Sequence, residues 1–79
     1  MKVIVRVRLV EYTRIIRKFD KKEKRIKEEK IISLRPDINV PYVIEDIDYT
    51  NRTALVKIKK EDLDKIKDRI LEIIGEVDF

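Results

Sequence analysis

Cysteine, histidine, tryptophan and glutamine are absent from the 79-residue chain, glycine and serine occur once each (Gly75, Ser33) and proline twice (Pro36, Pro41). Each absence removes a mechanism. Without cysteine there is no disulfide, no thiolate nucleophile and no sulfur-ligated metal; without histidine there is no imidazole base and no ordinary zinc site. Ser-His-Asp and Cys-His constellations are therefore excluded within the chain. A single glycine cannot build a phosphate-cradling loop, which excludes P-loop and dinucleotide sites. The longest apolar runs, such as Val3-Ile4-Val5, are three residues, against about 20 for a membrane-crossing helix. The start, Met1-Lys2-Val3-Ile4-Val5-Arg6, has a charge too early for a signal-peptide apolar region. The expectation is a cytoplasmic, non-enzymatic protein with no membrane contact and no cofactor.

What the chain does have is charge and β-branched side chains. Charged residues make up 46% of it, nearly double the usual quarter or so, and 22 of its apolar residues are Val or Ile. That Val/Ile content argues against the disorder that so much charge would otherwise suggest. Abundant Lys, Arg and Glu with two Asn and no Gln is the pattern of a hyperthermophile's protein, archaeal or archaeal-viral. The net charge of +4 is unevenly spread: residues 1–35 hold 13 Lys/Arg against 5 Asp/Glu, and residues 36–79 hold 7 against 11. A basic first half and an acidic second half bear on partners more than on fold.

Residues 3–10 alternate, with Val3, Val5, Val7 and Leu9 on one face, and predict a strand. Residues 11–35 admit two conformations. As a helix, Tyr12, Ile15, Ile16 and Phe19 form a stripe that lapses after Phe19. As a hairpin with a tip near residues 20–25, partner numbers summing to 46 set Lys18 against Glu28, Arg17 against Glu29, Ile15 against Ile31 and Tyr12 against Leu34. The hairpin is preferred. Residues 40–49 and 53–58 predict a second hairpin around Thr50-Asn51-Arg52. Leu63, Ile66, Ile70 and Ile73/Ile74 share a helical period, and Gly75 fits a C′ cap, so residues 61–74 predict an α-helix.

The expected fold class is α+β: one domain over residues 1–79, a small antiparallel sheet of two hairpins (about four strands) and a C-terminal α-helix. A helical 11–31 would make it ferredoxin-like instead, a split β-α-β-β-α-β. With no disulfide or metal staple in so short a chain, and with Ile4, Val10 and Leu55 left on the second face of the sheet, a homodimer is expected.

The candidate functional residues are Arg6, Arg8, Arg14, Arg17, Lys18, Lys21, Lys22, Lys24, Arg25 and Lys27, with Tyr12 and Phe19 interleaved. On a projecting ribbon such cations neutralise phosphates, and a two-stranded ribbon fits the major groove of DNA. The bland reading is a solvated surface in which Glu23, Glu28 and Glu29 answer the cations. The alternative function is a homo-oligomeric interaction or regulatory subunit that meets a protein partner and no nucleic acid. Asp46 and Asp48 share a strand face and are the only hint of a Mg²⁺-dependent nuclease, a pattern more often simply exposed.

Overall fold

The computed structural model describes residues 1–78. Its elements are β1 (Lys2–Asp20), β2 (Arg25–Pro36), β3 (Val43–Asp48), β4 (Thr53–Lys59), a 3₁₀ segment (Lys60–Arg69) and β5 (Ile70–Val77). All strand pairings are antiparallel, in the order β2-β1-β4-β3, with β5 also paired to β1.

β1 organises the molecule. Its first half, Lys2–Arg8, pairs with β4 on one edge, and Lys2–Val7 pairs with β5 on the other. Its second half, from Leu9 to Asp20, pairs only with β2. β5 and β2 thus lie end to end along one edge of the same strand. Asp37 N–H donates to the Arg8 carbonyl at 2.8 Å where the edge changes hands, and Arg69 reaches the Asp37 carboxylate at 2.7 Å across the gap.

The core sits on one face of the first half. Val3, Val5, Val7 and Leu9 of β1 meet Ala54, Val56 and Ile58 of β4. Ile66 of the 3₁₀ segment covers them, with Ile38 and Val40 of the connection after β2. Period-two alternation in β1 and β4 produces this face directly.

The α-helix expected at residues 61–74 is not there. Residues 60–69 form 3₁₀ turns interrupted at Ile66 (φ −122°, ψ 20°), and residues 70–77 are a strand. The fold is a mainly β, five-stranded sheet, neither the α+β arrangement nor the ferredoxin-like alternative. The reason lies far away in sequence. Without β5, the first half of β1 would keep an open edge, and Ile70–Val77, half of it β-branched, fills it. Geometry selects the tighter helix. The chain must travel from the level of Lys2, opposite Lys59, to the level of Val7, opposite Ile70, while crossing β1. That diagonal is about 20 Å from strand rise and spacing. Ten residues span about 20 Å as 3₁₀ but only about 15 Å as α-helix. Asp62, in the 3₁₀ segment, is buried and paired with Lys65 at 3.2 Å. Gly75 pairs with Ile4 inside β5 at negative φ, so it caps nothing.

Residues 11–35 form a hairpin, but partner numbers sum to 45: Lys18 faces Lys27, Arg17 faces Glu28 and Phe19 faces Ile26. The one-residue slip moves every β2 side chain to the face opposite the one expected. Among the described strands only β1 and β2 pair along this hairpin, which projects as an arm. The molecule measures 54 × 25 × 21 Å with a radius of gyration of 17.1 Å, where a compact chain of this length has about 12 Å. Among the described residues no helix is long and apolar enough to cross a membrane.

Candidate nucleic-acid interface

The arm is closed by a four-residue loop, Lys21–Lys24, that contains no glycine. Asp20 makes this loop workable. Its Oδ1 accepts from Lys22 N–H at 2.9 Å and Glu23 N–H at 3.3 Å, and Lys24 takes the left-handed conformation at φ 53°. The Lys27 ammonium, 3.0 Å from Asp20, together with these two amides holds the Asp20 carboxyl below the usual aspartate range.

The register sorts the arm's charges onto faces. Even-numbered β1 residues share a face with odd-numbered β2 residues, so this even face carries Arg14, Lys18, Arg25, Lys27 and Arg35 against Asp20 and Glu29. The opposite, odd face carries Arg17 and Lys30 against Glu11 and Glu28. The loop adds Lys21, Lys22 and Lys24 against Glu23. Positive charge is thus concentrated on one face and the tip.

The ten residues singled out in the sequence do not form one site. Arg6 and Arg8 lie in the body, on the same side of β1 as Arg14 and Lys18. Arg6 is engaged by Glu72 at 3.7 Å and by Thr53 Oγ1 at 3.4 Å. On the arm, Arg17 pairs with Glu28 (3.1 Å), Lys18 with Glu29 (4.0 Å), Arg25 with Glu23 (2.7 Å), and Lys27 with Asp20 and Glu23. Arg17 also points away from the rest, on the odd face. Arg14, Lys21, Lys22 and Lys24 have no ion-pair partner among the described residues. The exposed pairs are individually worth about 0–1 kcal/mol, so phosphates can displace them.

Two features escaped the sequence reading. Arg35 stacks its guanidinium 4.5 Å from the centroid of the Tyr12 ring, which places a cation and an aromatic together on the even face. A depression of about 480 Å³ at the tip gathers Lys18, Lys21, Lys22 and Lys27, with Asp20 and Glu29, beside Phe19, itself 63% exposed. The observed register reveals the first; partner numbers summing to 46 set Tyr12 on the wrong β2 neighbours.

The nuclease reading gains no support. Asp48 is occupied by Asn51, whose backbone N–H and side-chain Nδ2 donate to it at 3.1 and 2.7 Å. No group of three or more acidic residues able to hold a metal occurs among the described residues.

Comparison with protein-family models, curated proteins and solved structures finds no match to the chain. Geometry alone therefore carries the functional reading.

Proposed function

We propose that the protein is a non-enzymatic binding module that grips nucleic acid with its β1–β2 arm and works as a homodimer. One observation carries the reading: the arm is a projecting two-stranded ribbon whose cations collect on one face and at the tip. The major groove of DNA, about 12 Å wide, admits a ribbon of this width. Arg14, Lys21, Lys22 and Lys24 supply phosphate contacts, with Lys18 joining once Glu29 gives way. Tyr12, beside Arg35 on the even face, offers a ring on which a base stacks. The charge-rich composition supports a cytoplasmic setting at high temperature.

Binding of this kind releases counterions, so affinity falls with salt by about 0.9 log units per phosphate neutralised for each log unit of salt. Four or five contacts give a slope of about −4. Titration of labelled duplex and single-stranded DNA and RNA at several salt concentrations tests this. The expected result is a steep slope that shrinks when Lys21, Lys22 and Lys24 are changed together to Glu. Binding indifferent to salt, or absent for every nucleic acid tried, overturns the reading.

A further inference from the structure

The odd face of the arm continues the face that is the core lower down. Val3, Val5, Val7 and Leu9 are buried by the body, and Pro36 closes the row beside Leu9. Beyond them the same face bears Leu34, then Thr13 beside Ile32, Ile15 beside Lys30, Arg17 beside Glu28, and Phe19 beside Ile26 at the end. There Ile15 is 56% exposed, Phe19 63%, and Ile26 and Ile32 65% each. The apolar face of the sheet simply runs out into water. A lone two-stranded hairpin is at best marginally stable in water, so an arm this long needs a cover.

We propose that the cover is the arm of a second copy of this chain, packed odd face to odd face across a two-fold axis. This rests on the reading of the protein as a homodimer but not on its contact with nucleic acid. Charge decides the occupant. The odd face is balanced, Arg17 and Lys30 against Glu11 and Glu28, with Arg52 of the body beside Glu11, and draws a polyanion less than the even face does. It is also self-complementary. With the two arms antiparallel, the Phe19/Ile26 end of each lies over the Ile15 and Ile32 region of the other. The two-fold axis lays β1 of one arm over β1 of the other and β2 over β2, so Ile26 meets Ile32 of the second copy and, midway, Glu28 meets its Lys30 and Arg17 its Ile15. The even faces, with their excess of cations, are left outward on both sides of the dimer.

The contact is small. The rows from Glu11 to Phe19 span about 27 Å of a ribbon about 10 Å wide, roughly 300 Å² per copy, against about 800 Å² in a standard interface. The dimer is therefore a dissociating one, with its midpoint in the micromolar range or weaker.

Sedimentation over a concentration series is the test. The wild-type chain passes from monomer to dimer, and Phe19→Lys and Ile32→Lys, both on the odd face, keep it monomeric. Arg14→Glu, on the even face, leaves the dimer intact. Amide exchange on the same samples controls for misfolding: Val3–Val7 and β4 stay protected in all variants, while residues 12–19 gain protection with concentration only in chains that dimerise. A wild-type chain monomeric up to millimolar concentration, or a dimer indifferent to both lysines, overturns the proposal. A dimer without nucleic-acid binding leaves it standing and removes the other reading; salt-sensitive binding by a monomer does the reverse.

Discussion

Asp20 and Asp48 do the same work in the two hairpins. Each is the last residue of its strand, each accepts hydrogen bonds from the loop that follows, and each is followed four residues later by a left-handed basic residue, Lys24 or Arg52, both at φ 53°. The pattern Asp-x-x-x-Lys/Arg thus replaces the Asn-Gly that a tighter turn would need. Asp48 is held below the usual aspartate range by the Asn51 amides, and Asp20 by Lys27 and its loop amides. A depressed folded pKa adds stability that is complete above the unfolded value of 3.8 and disappears as pH falls through the folded value. Titration followed by NMR is therefore expected to show both loops ordered at neutral pH and losing order only below about pH 3.8. Asp20→Asn keeps the acceptor and is expected to retain the loop with less pH dependence, whereas Asp20→Ala frays the arm at every pH.

Gly75 separates the strand from the helix it replaced. No atom lies within 4 Å of where a Cβ would stand, and the residue does not have positive φ. Gly75→Ala is expected to stabilise the protein by about 0.4–1 kcal/mol through the unfolded chain. A C′ glycine at positive φ would respond with the opposite sign. Thermal unfolding of the single variant reads the sign directly.

Ile66 is wholly buried, whereas Ile15 is half exposed on the arm. Ile66→Ala is expected to cost about 2–5 kcal/mol, since the residue packs the 3₁₀ segment onto β1 and β4. Ile15→Ala is expected to leave the melting temperature of the monomer nearly unchanged. Denaturant unfolding at low protein concentration checks the contrast.

The body carries its own core. Among the described hydrophobic residues between Val10 and Arg35, Leu34 alone packs against it, and Glu11 reaches Arg52 at 3.8 Å. Replacing residues 12–33 by Asn-Gly, between the paired residues Glu11 and Leu34, is expected to leave a cooperatively folding body. The shortened chain is expected to lose both nucleic-acid binding and self-association. Calorimetry with the two binding assays tests this.

The elements legible in the sequence were those whose signal is local. Alternation marks Val3–Leu9 and Ala54–Ile58, and the lapse of the helical stripe after Phe19 marks the hairpin. Its register was not legible because cross-strand charge matching scores two alignments almost equally. Arg17 meets Glu28 directly in one and Glu29 in the other; the loop chemistry of Asp20 and the Phe19–Ile26 pair make the difference. β5 was hidden for another reason. Leu63, Ile66, Ile70 and Ile73 do repeat with helical spacing, and only the open edge of a strand some 70 residues earlier outweighs it. At the arm, the run of basic residues was plain, but their division into a charged and a neutral face depends on the register and was lost with it.

β1 borrows its partners from both ends of the sequence, and that imposes an order on synthesis. β2 emerges directly after β1 and pairs with it locally, whereas β5, whose Val77 lies across from Lys2, is the last described strand to leave the ribosome. At about 5–20 residues per second, the Lys2–Val7 edge of β1 waits several seconds with its amides paired only to water. Pairing over such separations is slow to form once the chain is free. The arm's two strands are thus available to each other first and the body's last partner arrives at the end, so the nascent chain exposes a basic ribbon, marginal until it is covered, before its core is finished.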